Sequence, residues 1–487
     1  MSATGERQTV SSQGNFVAGG TRPSRSGEEY ERRNPARPSE VVGRFAASDE
    51  YDVEDAVGAA QAAQPGWAAT SAPARGRFLA LAARALEARL EQVAQDMTRE
   101  MGKPVRESRG EVARGVAILD FFAGEGQRPL GELYEQSATG NPVYTVRRPV
   151  GVTALITPWN FPAAIPIWKS APALAYGNAV VLKLAIDSPR TGLHIAECFA
   201  EAGLPAGVLN VLTGPGSTAG AALVRDHRVE AVSFTGSVAV GAAVRDEAVS
   251  RGTRVQLELG GQNPLIVAED AKLDAAVEAA YAGAFWSAGQ KCTATRRIYV
   301  QDGVYDAFRE RFLARIESGK VGDPTDPSTE VGPLVNERQL DEVLAAIERG
   351  RREGGSVSAG GERLDREGYF IAPTVFEDVG DECYLSCEEV FGPVTSLYRF
   401  SDLDEALRRA NAGRFGLAAS VYTQNVSTVQ QFLSQMRAGI LHVNSQTAGA
   451  EAHVPFGGTK GSGYGPHEQG RAALEFYTDL VTVYHDA

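Results

Sequence analysis

"AVVLKLAIDSPRTGLHIAECFAEAGLPAGVLNVLTG", Ala179 to Gly214, is the stretch that decides the fold. AVVLKLA reads as a strand, GVLNVLTG as another, and SPRTGLHIAECFAEAGLP between them as a helix. Apolar strands joined through a helix predict a parallel sheet covered on both faces. GVTALI (Gly151–Ile156) and EAVSFTG (Glu230–Gly236) extend the same α/β series. RVQLELGGQNPLIV (Arg254–Val267) reads as strand, turn and strand, and opens a second α/β series. That series includes a long helix over Glu337–Arg352 and a glycine-rich stretch from Gly354 to Gly361. Upstream, Asp52 to Gly124 is helical, with apolar residues at three- and four-residue steps through Ala74–Lys103. The ending, LEFYTDLVTVYHDA, reads as a strand after a helix. A terminal strand has an open edge unless something covers it, and a second subunit is one cover.

The 487 residues are 43% hydrophobic and 22% charged, an ordinary globular balance with ample material for a core. The length allows roughly two to four domains. A formal charge of −13 argues against nucleic acid or anionic membrane as the main partner. No apolar run reaches the roughly 18 residues of a spanning helix. The polar N-terminus lacks a signal-peptide core and reads as a loose tail. Four cysteines are too few for a disulfide framework in so long a chain. These features together point to the cytoplasm. Cys383 and Cys387 have no second Cys/His pair at ligand spacing, so no metal site is expected.

Seven short motifs are candidates to carry chemistry. FWSAGQKCTATRR (Phe285–Arg297) places the lone thiol of Cys292 in a polar, glycine-entered segment. A thiolate is a strong nucleophile when cationic charge or amide dipoles favour it. ITPWNFP (Ile156–Pro162) follows a strand, where the Asn160 amide could donate to a developing oxyanion. ELGG (Glu258–Gly261) sets one carboxylate before two glycines at a strand end. SFTGS (Ser233–Ser237) opens a helix with free amides, a ready anion site. TGPGSTAG (Thr213–Gly220) resembles a dinucleotide loop without matching G-x-G-x-x-G. CEEVFGPV (Cys387–Val394) and PFGGTKGSGYG (Pro455–Gly465) name no reaction unaided. A thiol, an amide donor, a carboxylate and a phosphate cradle together suit covalent catalysis with a nucleotide cofactor.

In order and spacing these motifs resemble the aldehyde dehydrogenase superfamily, over nearly the whole chain from about residue 15. The resemblance implies an α/β aldehyde dehydrogenase fold: a Rossmann-like cofactor domain (15–130 and 150–259), an α/β catalytic domain (260–469) and a small bridging β element (131–149 and 470–487). It implies that Cys292 attacks the aldehyde, that Asn160 and the Cys292 N–H hold the oxyanion, and that Glu258 activates the water that releases the thioester. It implies a cofactor, NAD or NADP, held by Thr157, Trp159, Lys183, Ile186, Gly216, Ser237, Gly260, Glu389 and Phe391. Ser237 would meet the pyrophosphate, Trp159 and Lys183 the adenosine half, Glu389 the nicotinamide ribose and Phe391 its ring. The tail strand would extend a neighbour's sheet, giving a homodimer or homotetramer.

Two departures stand out. The family's usual K-P-x-E appears as KLAI, Lys183 to Ile186. The missing carboxylate is one that repels a 2′-phosphate, so NADP is expected to serve at least as well as NAD. SGYGPHEQG (Ser462–Gly470) also differs from the family's form, near the expected subunit interface. At the subfamily level the motifs look most like the bacterial α-ketoglutaric semialdehyde (2,5-dioxopentanoate) dehydrogenase branch. That match would line the substrate tunnel with Phe161, Ile165, Trp168, Trp286, Thr293, Gln446, Thr447 and Phe456. A carboxylated substrate should want a cation there, and Arg296 and Lys169 are nearby in sequence. The apolar lining equally admits a medium aliphatic or aromatic aldehyde. A CoA-acylating enzyme and a non-catalytic binding protein are rival readings; the presence of Cys292, Asn160 and Glu258 together weighs against both.

Overall fold

The computed structural model describes residues 12–485. The stretch read as a loose tail lies mostly outside them, up to position 11. Among the described residues no helix is long and apolar enough to cross a membrane.

The quoted stretch folds as read: strand Ala179–Lys183, helix Pro189–Glu201, strand Leu209–Leu212. The two strands pair in parallel, and every residue of both is buried. Burial on both faces is why the strands show no polar alternation. Five parallel strands form the centre of an eight-stranded sheet, in the order Arg254–Glu258, Ala231–Thr235, Val152–Ile156, Ala179–Lys183, Leu209–Leu212. Chain order reverses between Val152–Ile156 and Ala231–Thr235. In open parallel sheets the ligand crevice lies at such a switch, beyond the strands' carboxyl ends. ITPWNFP and FTGS are the segments that leave these two strands.

One face of this sheet packs on Phe122, Ile167, Leu174 and Phe199, carried by the surrounding helices. The other packs on Val53, Val57, Leu223 and Val244. The helices read from the 52–124 pattern are Glu50–Ala69, Ala72–Ala88, Leu90–Met101 and Val105–Glu125. Asp49 closes the first with a capping box to Asp52.

ELGGQ crosses to a seven-stranded sheet centred on Asn263–Val267 and Thr295–Gln301. Six of its strands run in parallel and Ser356–Ala359 alone is antiparallel. The long helix spans Glu337–Arg352, as expected. Cys292 sits just before Thr295–Gln301, at an amino end of this sheet, and Glu258 sits at a carboxyl end of the other. The site therefore lies between the two sheets.

The terminal strand Thr478–Tyr484 pairs antiparallel with Pro142–Pro149 of its own chain, beside Leu133–Glu135. Its second edge has no strand partner among the described residues. Gly463–Tyr464, inside the 260–469 span, adds an antiparallel strand to the first sheet against Arg254–Glu258.

Candidate active site

A cavity of about 820 Å³ opens at the switch point and reaches Cys292. Thr157, Trp159, Asn160, Ile165, Lys183, Ile186, Ser237, Gly260, Glu389 and Phe391 border it with Cys292. Of the residues expected at the cofactor, Gly216 alone does not. It starts the turn Gly216–Gly220, and a Cβ on it would lie 3.9 Å from Lys183 Nζ.

The cavity suits a dinucleotide. Ser237 caps the helix Val238–Ser250, accepting from Val240 N, so amide donors face the opening. Gly260 leaves the space that Glu389 occupies: a Cβ there would fall 2.1 Å from Glu389 Oε2. The other oxygen of Glu389 accepts from Gly261 N at 3.0 Å. Burial raises the Glu389 carboxyl to about 7, against the pull of Arg296. The Thr157 hydroxyl is buried and has no protein partner. Trp159 meets Phe391 edge to face at 5.5 Å. Lys183 donates to the carbonyls of Leu184 (2.8 Å) and Gly214 (2.9 Å), and burial lowers its ammonium to about 8. Ile186 is 37% exposed. The acid after it, Asp187, is already held by Arg32 and Asn336, each at 3.0 Å.

The nucleophile's loop is unusually bent. Ser287 and Ala288 have φ of 56° and 52°, and Gly289 follows at 67°. Such backbone is costly for residues with a Cβ and persists only where its surroundings enforce it. Glu107 binds Ser287 through its backbone N (3.0 Å) and its hydroxyl (2.5 Å). Arg296 donates to the carbonyls of Gly289 and of Gly392 (2.5 Å). A Cβ on Gly289 would sit 2.1 Å from that Gly392 oxygen. Asn263 Nδ2 donates to the carbonyls of Cys292 and Ala294, both at 2.8 Å. The loop that carries Cys292 is thus held by Glu107, Arg296 and Asn263. Burial, then the carboxylates of Glu258 and Glu389, hold the thiol above its ordinary range.

Asn160 reaches this loop: its Nδ2 donates to Gln290 O at 3.1 Å, leaving a second hydrogen. Its own carbonyl accepts from Lys103 Nζ at 2.7 Å, and Lys103 is ion-paired with Glu111. Glu111 in turn accepts from the amides of Ala163 (2.8 Å) and Ala164 (3.1 Å). Glu258 is 3% exposed, and its Oε2 has no hydrogen-bond partner. Burial pushes its carboxyl well above the usual range; Glu468 adds to the push, and Lys169 opposes it.

The expected tunnel residues divide. Trp168 and Phe456 lie face to face, tilted by 34° at 5.4 Å. Lys103 Nζ stands 4.0 Å over the Phe161 ring. Arg106 covers Trp286 at 5.2 Å. Gln446 Oε1 is buried without a partner. Thr447 differs from expectation: its hydroxyl donates to Thr293 O (2.7 Å) and meets Thr295 Oγ1 (2.8 Å). With one hydrogen to give, it ties the loop to the Cys292 segment and offers a ligand no donor. Both cations considered for a substrate carboxylate are engaged by the protein, Arg296 through its two terminal nitrogens, with its Nε buried and without a partner. Arg296 holds the backbone carbonyls just described, and Lys169 pairs with Glu468 and donates to Ser233 Oγ at 2.7 Å. Sequence reading missed Lys103, Glu107, Glu111 and Asn263. The only signal was GKPVRESRGEV, two acids and a lysine around a helix start.

A dinucleotide-sized cleft at a switch point, ending on a thiol in the field of a carboxylate, fits the class of nicotinamide-dependent oxidoreductases. The aldehyde dehydrogenase family model matches residues 22–483, and the chain belongs to that family. It is 45% identical, over 96% of its length and 97% of the relative's, to an alpha-ketoglutaric semialdehyde dehydrogenase of Bacillus subtilis strain 168. It superposes on the NAD+ complex of an aldehyde dehydrogenase from Bacillus cereus with a TM-score of 0.95 at 36% identity, covering 97% of this chain and 96% of that one. An E. coli NADP dependent enzyme matches with a TM-score of 0.94 at 36% identity, over 97% of both chains. The chain is an NAD(P)-dependent aldehyde dehydrogenase.

Proposed function

We propose that this enzyme oxidises a carboxylated semialdehyde of the 2,5-dioxopentanoate type to its dicarboxylate, through a Cys292 thioester released by water. The observation that carries the hydrolytic step is the buried Glu258 carboxylate, unpartnered at Oε2, in the field of the Cys292 thiol. The substrate class is supported by the name of the Bacillus subtilis relative.

Glu258 takes the thiol proton, and Cys292 Sγ attacks the aldehyde carbon. The oxyanion that forms receives the second Nδ2 hydrogen of Asn160 and the Cys292 N–H, donors already fixed by the loop. Ser237, Gly260, Glu389 and Phe391 would hold a nicotinamide cofactor, which when bound would supply the acceptor for the hydride that leaves the carbon. Glu258 then removes a proton from water as the oxygen attacks the thioester, and Cys292 leaves as thiolate. A carboxyl raised by burial holds a proton near neutrality better than an exposed one, which suits a general base. Between its two uses Glu258 must lose a proton. The hydrogen-bonded chain of Ser233, Lys169 and Glu468 adjoins it.

The assembly we infer is a homodimer or homotetramer. The open edge of Thr478–Tyr484, with Leu480 56% and Tyr484 69% exposed, supports it. The test of function is a turnover panel with NAD and NADP over carboxylated aldehydes and neutral aldehydes of equal length. We expect a preference for the acid and a free acid as product. Equal rates on both classes end the semialdehyde reading, and acyl-CoA formation ends the hydrolytic one.

A further inference from the structure

Lys169 and Lys103 are ion-paired, Lys291 donates to Ala282 O at 2.8 Å, and Arg296 spends its terminal nitrogens on backbone carbonyls; further cations, Arg106 and Arg114, lie on the helix Val105–Glu125. Arg114 stacks on Trp168 at 5.4 Å, and Trp168 packs on Phe456. Phe456 is followed by Gly457, whose missing Cβ would lie 3.1 Å from Glu258 Oε1. Arg114 therefore borders the aromatic wall that leads to the base.

Its hydrogen bonding is incomplete. One terminal nitrogen donates to Gln469 Oε1 at 3.2 Å. Arg114 Nε and Gln469 Nε2 are both buried and have no acceptor among the described residues, and the same holds for Trp286 Nε1. Buried donors without acceptors are rare. Two adjacent ones, one of them on a guanidinium, match the two oxygens of a carboxylate. The acids nearby do not supply it: Glu111 is bound to Lys103 and two amides, and Glu451 is an exposed side chain that only interacts at a distance. Burial lowers Arg114 from its ordinary range, while Glu111, Glu451 and the Cys292 sulfur favour its charge, which places it in the field of the nucleophile. Four residues earlier, Gly110 leaves open space, and four before that Arg106 covers Trp286. Residues at this spacing share one helix face. The helix thus presents Arg106, a gap and Arg114 in a row.

We propose that Arg114 binds the distal carboxylate of the aldehyde and so determines specificity, an inference that rests on the semialdehyde reading above. The guanidinium, its carbon 5.4 Å from the centre of the Trp168 ring, offers Nε and a terminal nitrogen together with Gln469 Nε2. A cationic aldehyde would meet repulsion at the same place.

The test uses the full-length enzyme with Arg114→Gln and Arg114→Lys, assayed on glutarate semialdehyde and on pentanal. In Arg114→Gln the ratio of kcat/KM for the acid to that for pentanal should fall about 10- to 100-fold, the worth of a charged hydrogen bond, chiefly through KM of the acid. Arg114→Lys should recover part of it, because charge remains but the fork is lost. Glutarate binding, read as a rise in Tm, should weaken in step without any turnover. An unchanged ratio in Arg114→Gln, with a wild type that does prefer the acid, overturns the Arg114 assignment and leaves the semialdehyde reading standing. A wild type with no preference for the acid overturns both. If Arg114→Gln folds poorly, Arg114→Lys decides: a ratio equal to wild type refutes the forked contact.

Discussion

Lys169 and Glu468 form a buried ion pair, and the two exert opposite pulls on the Glu258 carboxyl. Glu468 raises it by like-charge repulsion; Lys169 lowers it. In the proposed mechanism the ionised form of Glu258 is the active base, so turnover should rise with pH through its raised pKa. Glu468→Gln removes the repulsion and leaves Lys169 unbalanced, so the acid limb of the kcat profile should move to lower pH, by about one unit. Lys169→Met should move it to higher pH. Opposite displacements are the diagnostic; limbs that move together would refute the pairing as the source. Either change unpairs a buried charge and should also destabilise the fold by roughly 3–5 kcal/mol, visible in Tm.

Glu258→Gln keeps the shape of the base and removes its function. Steady-state kcat should fall by about 10²- to 10⁴-fold, the usual contribution of general-base catalysis. An acyl-enzyme on Cys292, seen by intact-protein mass spectrometry, would place part of the loss at hydrolysis. Absence of any adduct would place all of it at thiol activation. A rate within a few-fold of wild type would remove Glu258 from the mechanism.

Arg296 lies in this region for a structural reason. Its guanidinium joins the left-handed turn at Gly289 to Gly392, the residue after Phe391. Burial lowers it to about 10, and Glu389 offsets part of that cost. Arg296→Met removes the charged donors from the carbonyls of Gly289 and Gly392, which keep only their backbone partners Lys291 N and Val394 N, at about 1–3 kcal/mol in all. Chemical denaturation should show that loss. KM for the cofactor should rise as the segment loosens, while the ratio of acid to neutral aldehyde stays fixed. A change in that ratio would make Arg296 a substrate contact after all.

What the sequence made legible follows from burial. Ala179–Lys183 and Leu209–Leu212 are covered on both faces, so they stand out as unbroken apolar runs. The expectations for Cys292, Asn160 and Glu258 arose because each sits in a motif with its own glycines or prolines. Arg114, Lys103 and Glu111 were not. On an amphipathic helix a charge reads as solvated, and only the fold shows that this one turns its charged side toward Asn160 and Trp168. Glu468 was quoted only within a loop assigned to assembly. Its partner Lys169 lies almost three hundred positions earlier, in a helix whose every residue is buried. Pairings that distant leave no local pattern. The direction of Arg296 was equally hidden, because a strand residue's face depends on register, and register shifts between Asn263 and Pro264 beside it.

We expect cofactor choice to turn on Ile186 and Lys183. Ile186 borders the cavity where a carboxylate would repel a 2′-phosphate, and Asp187 is neutralised by Arg32 and Asn336. We therefore expect NADP to serve at least as well as NAD. Ile186→Glu should lower kcat/KM for NADP relative to NAD by about 10- to 100-fold, since a like charge placed there costs a few kcal/mol at low effective dielectric. Lys183 adds a pH signature. Its ammonium titrates at about 8 in the free enzyme, so it is charged below that pH and neutral above it. Affinity for NADP should decline as pH rises through 8, and affinity for NAD, which lacks the phosphate, should not follow. Dissociation constants for both, measured by fluorescence titration between pH 6.5 and 9.5 (about the range that brackets the transition), give the answer. Parallel profiles for the two cofactors would exclude Lys183 as the phosphate's counter-charge, and a large wild-type preference for NAD would overturn the expectation itself.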